Sequence, residues 1–121
     1  MKKAVRSHDY LGHITQAIER IQRYTANVTE ATFISDELVQ DAVVRNIEVI
    51  GEAAKNIQRV DPEFASQHEE IPWQVMYAMR NRLSHGYDTI DYEVVWNLIE
   101  EDLPNLYRLI KAALNEIAMW L

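Results

Sequence analysis

The sequence predicts an all-α protein, an antiparallel four-helix-type bundle with a C-terminal extension after a kink at Pro104. Three observations carry this. Apolar residues recur at three- and four-residue steps through most of the chain, the period of a helix that buries one stripe. No alternating apolar–polar run is long enough to compete as a strand. Only three glycines and three prolines punctuate the 121 residues. With no internal repeat, low-complexity segment or linker to divide them, residues 1–121 read as one domain.

The elements follow in order. Leu11, Ile14, Ala17, Ile18 and Ile21 form the stripe of a first helix expected from about Ser7 to Ala26. Ser35 is the expected N-cap of a second helix, with Asp36 and Glu37 favourable in its first turn. That helix carries Val39, Val43, Ile47, Ile50, Ala54 and Ile57 and should end near Val60, before Asp61-Pro62. Gly51 in its middle costs about 1 kcal/mol relative to alanine, and its expected use is close helix–helix approach. Pro72 fits the first turn of a third helix with apolar face Val75, Met76, Met79 and Leu83. Asp91 should cap a fourth segment built on Val94, Val95, Leu98 and Ile99. Pro104 should kink or break it, since proline lacks an N–H and clashes with the preceding turn. Leu106, Leu109, Ile110, Leu114 and Ile117 then continue the stripe.

Composition bounds the chemistry. The chain has no cysteine, so neither disulfides nor thiolate metal sites enter, and a reducing cytoplasm is its natural setting. No run of 18 apolar residues offers a membrane span, and Met1-Lys2-Lys3 leads into a polar stretch unlike a signal sequence. A soluble, cytoplasmic protein is expected. The net charge of −7 argues against nonspecific binding to nucleic acid, but it is unevenly spread. Residues 88–102 hold six acids and no base, whereas residues 1–24 hold five bases against two acids. The acidic stretch reads as solvated surface or, less simply, as a docking face for a basic partner.

Chemistry concentrates in residues 80–87, Arg80-Asn81-Arg82-Leu83-Ser84-His85-Gly86-Tyr87. Arginine matches phosphate oxygens bidentately and stays charged at any useful pH. Histidine, with an unperturbed pKa of about 6.5, gives or takes a proton near neutrality. Together they suffice to cut RNA without a metal: the imidazole moves the proton of a 2′-hydroxyl or of the leaving 5′-oxygen, and the guanidinium stabilises charge on the phosphorus oxygens. On one continuous helix Arg80 and His85 would point roughly 140° apart. A helix that ends near Ser84 or His85, with Gly86 at the exit, or a twofold axis that pairs the motifs of two chains, would bring them together. Taken alone, the octet also fits a plain helix C-terminus whose Arg and His satisfy the last carbonyls.

Its surroundings decide between these. Residues 71–104, from Ile71-Pro72-Trp73 through the octet and Val95-Trp96 to Asp102-Leu103-Pro104, closely resemble the HepT-like ribonuclease family of the HEPN superfamily. Residues 42–55, Ala42-Val43-Val44-Arg45 through Gly51-Glu52 to Lys55, resemble that family's second-helix signature. The likeness runs from about Asp9 to Leu114. The family motif, Arg, four to six residues, His, any residue, Tyr, is met by Arg80, His85 and Tyr87, with the usual polar residue after the arginine supplied by Asn81.

The resemblance implies a HEPN-like fold and a metal-independent endoribonuclease toxin, needing no cofactor, with a composite active site at a homodimer interface. It implies a partner, a minimal nucleotidyltransferase antitoxin of the MntA type that transfers AMP to the motif tyrosine, here Tyr87. On this reading Arg80 and His85 are catalytic, while Asn81, Arg82 and Tyr87 support RNA binding, Arg82 as a secondary phosphate contact. The alternative is a non-catalytic helical adaptor that binds the nucleotidyltransferase or a nucleotide.

Other residues carry blander expectations. Trp73, Trp96 and Trp120 read as core or interface anchors, with Trp73 near enough to the motif to stack on a base. His8, His13 and His68 lack metal-ligand spacing and read as surface residues. Arg45 and Glu52 read as part of an internal polar network.

Overall fold

The computed structural model describes residues 2–84 and 90–121, with residues 80–84 described by backbone alone. These residues form helices throughout, with no strand among them. The elements are α1 (Lys2–Thr25), α2 (Glu30–Ser35), α3 (Glu37–Val60), α4 (Pro62–Gln67), α5 (Trp73–Ser84), α6 (Tyr92–Asn97), a π-type turn (Leu98–Asp102) and α7 (Leu103–Ala118).

α1 and α3 form the spine. Leu11, Ile14, Ile18 and Ile21 of α1 and Val43, Ile47, Ile50 and Ile57 of α3 are fully buried. Each such side chain contributes about 1.5–3 kcal/mol on burial, so the two stripes dominate how the helices meet. Ser7 Oγ donates to Asp61 Oδ2 at 3.3 Å and joins the start of α1 to the end of α3, so these helices run antiparallel. Asp61 also caps α4 by accepting from the Phe64 N–H through Oδ1 at 3.2 Å. α7 lies along α1, where Tyr107 Oη donates to Glu19 at 2.6 Å and Leu106, Ile110, Ala113 and Ile117 are buried.

Several local expectations are corrected. The N-cap of α3 is Asp36, whose Oδ1 accepts from the Val39 N–H at 3.2 Å, while Ser35 closes the short helix α2. α2 starts at a capping box formed by Thr29 and Thr32, and Gln40 Nε2 donates to the carbonyls of Phe33 and Ile34 at 2.9 Å each. Orphan groups at both its ends are thereby satisfied. Pro72 precedes α5, its carbonyl accepting the Met76 N–H. On that helix Trp73 and Met76 are buried while Val75 is 64 % exposed. Asp91 caps α6 as expected, accepting from the Glu93 and Val94 N–H groups.

Pro104 does not break the chain. The Leu103 N–H bonds five residues back to Leu98, and the backbone remains right-handed helical there. Such a π-type turn shifts the hydrogen-bond ladder by one residue, which accommodates a proline that has no N–H to give. Residues 103–118 form a long helix that follows α6 through the turn, with Pro104 in its first turn.

Candidate active site

α5 carries the first half of the motif, and its register against α3 is fixed at two points. Gln58 of α3 shares a groove with Trp73 and Gln74, and Lys55 Nζ stands 5.5 Å from the centroid of the Tyr77 ring. The pairings run in opposite directions along the two helices, so they are antiparallel. At about 1.5 Å per residue on both, the Arg80 backbone lies level with Glu52, residue 81 with Gly51, and Ser84 with Glu48. Gly51 is buried within α3.

The backbone of Arg80, Asn81 and Arg82 thus occupies the last turn and a half of α5, beside the middle of α3. α5 is described as far as Ser84, and the expected helix end near Ser84 or His85 lies at the limit of the described residues. The side chains of Arg80, Asn81, Arg82 and Leu83 lie outside the described residues, as do His85, Gly86 and Tyr87 altogether.

Two further concave surfaces lie among the described residues. One, between α1 and α3, is walled by Tyr10, His13, Arg45, Glu48, Glu52 and Asn56. Arg45 and Glu52 are exposed and line this open cleft. Tyr10 and His13 meet edge to face, ring centroids 6.0 Å apart. The other, between α5 and the π-type turn, is apolar along Met76, Met79, Leu98 and Leu103, with Glu101 and Asp102 at its edge. Two acids of the 88–102 stretch, Glu101 and Asp102, therefore border a groove.

The aromatic and histidine expectations divide. Trp73 and Trp96 are buried. Trp73 Nε1 donates to the Ala65 and His68 carbonyls at 3.1 Å each, so its ring is a core anchor and not a stacking platform. Trp120 is 80 % exposed and anchors nothing among the described residues. His68 is buried, against the surface expectation. Its Nδ1 lies 2.9 Å from the Phe64 carbonyl and its Nε2 3.2 Å from Glu116 Oε2, and its ring stacks on Phe64 at 4.2 Å. Burial lowers its pKa, but the hydrogen bonds to Phe64 and Glu116, with the charges of Glu116 and Glu70, carry it above the ordinary value. Both ring nitrogens face acceptors, so only the imidazolium can donate both bonds. The phenol of Tyr107 is likewise raised, chiefly by its hydrogen bond to Glu19.

Sequence reasoning did not assemble the α1–α3 cleft. Its signal is the polar series Arg45, Glu48, Glu52, Asn56 at steps of three and four on a helix whose other side is Ile47, Ile50, Ala54 and Ile57. Among the described residues no three His, Asp or Glu side chains gather to hold a metal ion, and no helix is long and apolar enough to cross a membrane.

Comparison with known proteins places these features in a family. The sequence profile described as "Ribonuclease HepT-like" matches residues 14–113. A Thermococcus cleftensis protein named "Probable ribonuclease HepT" is 44% identical over 102 residues, covering 84% of this chain and 90% of that protein. A Methanocaldococcus jannaschii protein, named as a gamma-glutamylcyclotransferase and candidate RNase, is 38% identical over 89% of this chain but only 47% of its own length. A Caldanaerobacter subterraneus protein named as a candidate RNase is 33% identical over 88% of this chain and 93% of its own length. No solved structure matches.

Proposed function

The chain belongs to the ribonuclease HepT-like family and is an endoribonuclease, and we propose that it is the toxin of a toxin–antitoxin pair that cuts RNA without a metal through Arg80 and His85. The observation that carries this reading is the Arg80-x4-His85-x-Tyr87 motif, its arginine on α5.

The chemistry follows from the residue types. His85 takes the proton of the 2′-hydroxyl as the 2′-oxygen bonds to phosphorus. The bond from phosphorus to the 5′-oxygen then breaks, and that oxygen acquires a proton. The products are a 2′,3′-cyclic phosphate and a 5′-hydroxyl. Arg80 neutralises charge gathering on the non-bridging oxygens, and Asn81 orients the phosphate or the imidazole. Arg82 adds a secondary phosphate contact, and Tyr87 positions substrate. Residues 1–121 act as one domain, two copies share a composite site, and the protein works in the cytoplasm, where its RNA is.

Control falls on Tyr87. A nucleotidyltransferase partner with ATP and Mg²⁺ would let the Tyr87 oxygen attack the α-phosphorus, releasing pyrophosphate and the phenolic proton. The resulting AMP group adds bulk and negative charge where the RNA phosphate must sit.

The test is cleavage of single-stranded RNA by the purified chain in EDTA, with both product ends identified. Undiminished cutting that leaves cyclic phosphate and 5′-hydroxyl ends supports the reading. Cleavage that needs a divalent cation, or that leaves a 5′-phosphate, overturns it.

A further inference from the structure

The α1–α3 cleft is chemically unlike a phosphate site. Its floor is Val49, half-buried, and Ala53, buried. Its walls carry one guanidinium, Arg45, and two carboxylates, Glu48 and Glu52. The Glu48 carboxylate would repel a phosphate seated inside the cleft and leave only Arg45 at its edge to meet one, and a hydrocarbon ligand would leave the charges desolvated. A planar heterocycle with N–H groups on its edge suits an apolar floor with polar walls. The cleft volume of about 240 Å³ falls below the roughly 300–1,000 Å³ of pockets for drug-sized ligands, which matches one ring system.

Two further observations point to a ligand. Arg45 and Glu48 face the cleft with no hydrogen-bond or ion-pair partner among the described residues. The cleft also lies at the axial level of the motif's helix: Glu48 is level with Ser84, the last described residue of α5, and Arg45 is one turn beyond. Tyr10 and His13 supply aromatic rings on the opposite wall.

We propose that this cleft is a nucleobase subsite that receives an unpaired guanine of the RNA substrate near the scissile phosphate. Glu48 accepts from the ring N1–H and the exocyclic amine, two adjacent donors that only guanine presents on its Watson–Crick edge. Arg45 holds a neighbouring phosphate, and Tyr10 and His13 flank the base. The proposal rests on the RNase reading above and names the substrate feature that site selects.

The test separates the two. In the His85→Ala protein, which holds RNA uncut, fluorescence anisotropy is measured with labelled uridine decamers carrying one central guanosine, inosine or adenosine. Guanosine should bind at least about tenfold tighter than adenosine, as expected for a bidentate base contact, with inosine between them. Glu48→Gln should bring guanosine to the adenosine level and leave adenosine unchanged. Arg45→Ala should weaken all three alike and reduce the salt dependence by about one phosphate contact. Equal affinities for the three decamers, or a guanosine preference that survives Glu48→Gln, overturns the subsite. Guanosine-selective binding by a protein whose unmutated form never cuts RNA leaves the subsite standing and sinks the toxin reading. Cutting without base preference does the reverse.

Discussion

Lys55 Nζ lies 5.5 Å from the centre of the Tyr77 ring, and this contact marks the register of α5 along α3. Seven residues beyond Tyr77, Ser84 is the last described residue of α5, level with Glu48 of α3. The Arg80 backbone, level with Glu52, is therefore carried by a helix packed along the middle of α3. A rigid support is what a phosphate-gripping arginine requires, because catalysis by positioned charge depends on the charge being in place before reaction.

The first prediction concerns pH and stability. The His68 pKa is raised in the folded chain, so its stabilising contribution is fully present below the unfolded value of about 6.5 and is lost as pH rises through the higher folded value. Glu116→Gln removes one acceptor and its charge. The melting temperature of the unmutated protein should exceed that of the variant by more near pH 6 than near pH 9. A difference that is constant across this range would show that the pair contributes nothing through protonation.

A second prediction concerns the segment that follows the motif. Asp91 accepts from two N–H groups at the start of α6, at 3.0 Å from Glu93 and 3.3 Å from Val94. Asp91→Ala should destabilise the protein by about 0.5–2 kcal/mol. Chemical denaturation reads this directly as a shifted midpoint with unchanged slope.

Much of this fold was legible because burial follows period. The α1 stripe and, apart from the half-buried Val39, the α3 stripe are buried as their period predicts, since a long amphipathic helix repeats its signal many times. What escaped were features decided by a single contact. Ser35 and Asp36 are both good caps, and only the partner N–H of Val39 chooses between them. The helices α2 and α4, six residues each, are too short to show a period. Val75 and Val94 carry the right residue type for a core, yet they point away from it. His68 looks like any polar residue until the Phe64 carbonyl and Glu116 surround it. Of the site, the motif was visible as a string, whereas the α1–α3 cleft needs two helices brought side by side before Tyr10 and Arg45 become neighbours.

A third prediction addresses the shared site. If two chains each contribute to one centre, mixing Arg80→Ala subunits with His85→Ala subunits should restore part of the cleavage that each variant lacks alone. Restoration should rise with the fraction of mixed dimers seen by native mass spectrometry. Mixed dimers that form but remain inert would place both residues of each site in a single chain.

A fourth prediction concerns control. Tyr87→Phe removes the phenolic oxygen, so a cognate nucleotidyltransferase with ATP and Mg²⁺ should leave its mass unchanged and its RNase activity uninhibited. The unmutated chain should gain one AMP, mapped to Tyr87 by peptide sequencing, and lose activity. Neutralisation with no adduct, or with an adduct elsewhere, would assign the antitoxin a different route.

The central claim is that one imidazole moves the proton when RNA is cut. Single-turnover cleavage of a labelled RNA by His85→Ala protein, at saturating enzyme and in EDTA, tests it most directly. A positioned acid–base group is worth about 10²- to 10⁴-fold, so the rate should fall by at least the lower figure while circular dichroism and RNA binding stay as in the unmutated chain. Cleavage at the unmutated rate would contradict the account.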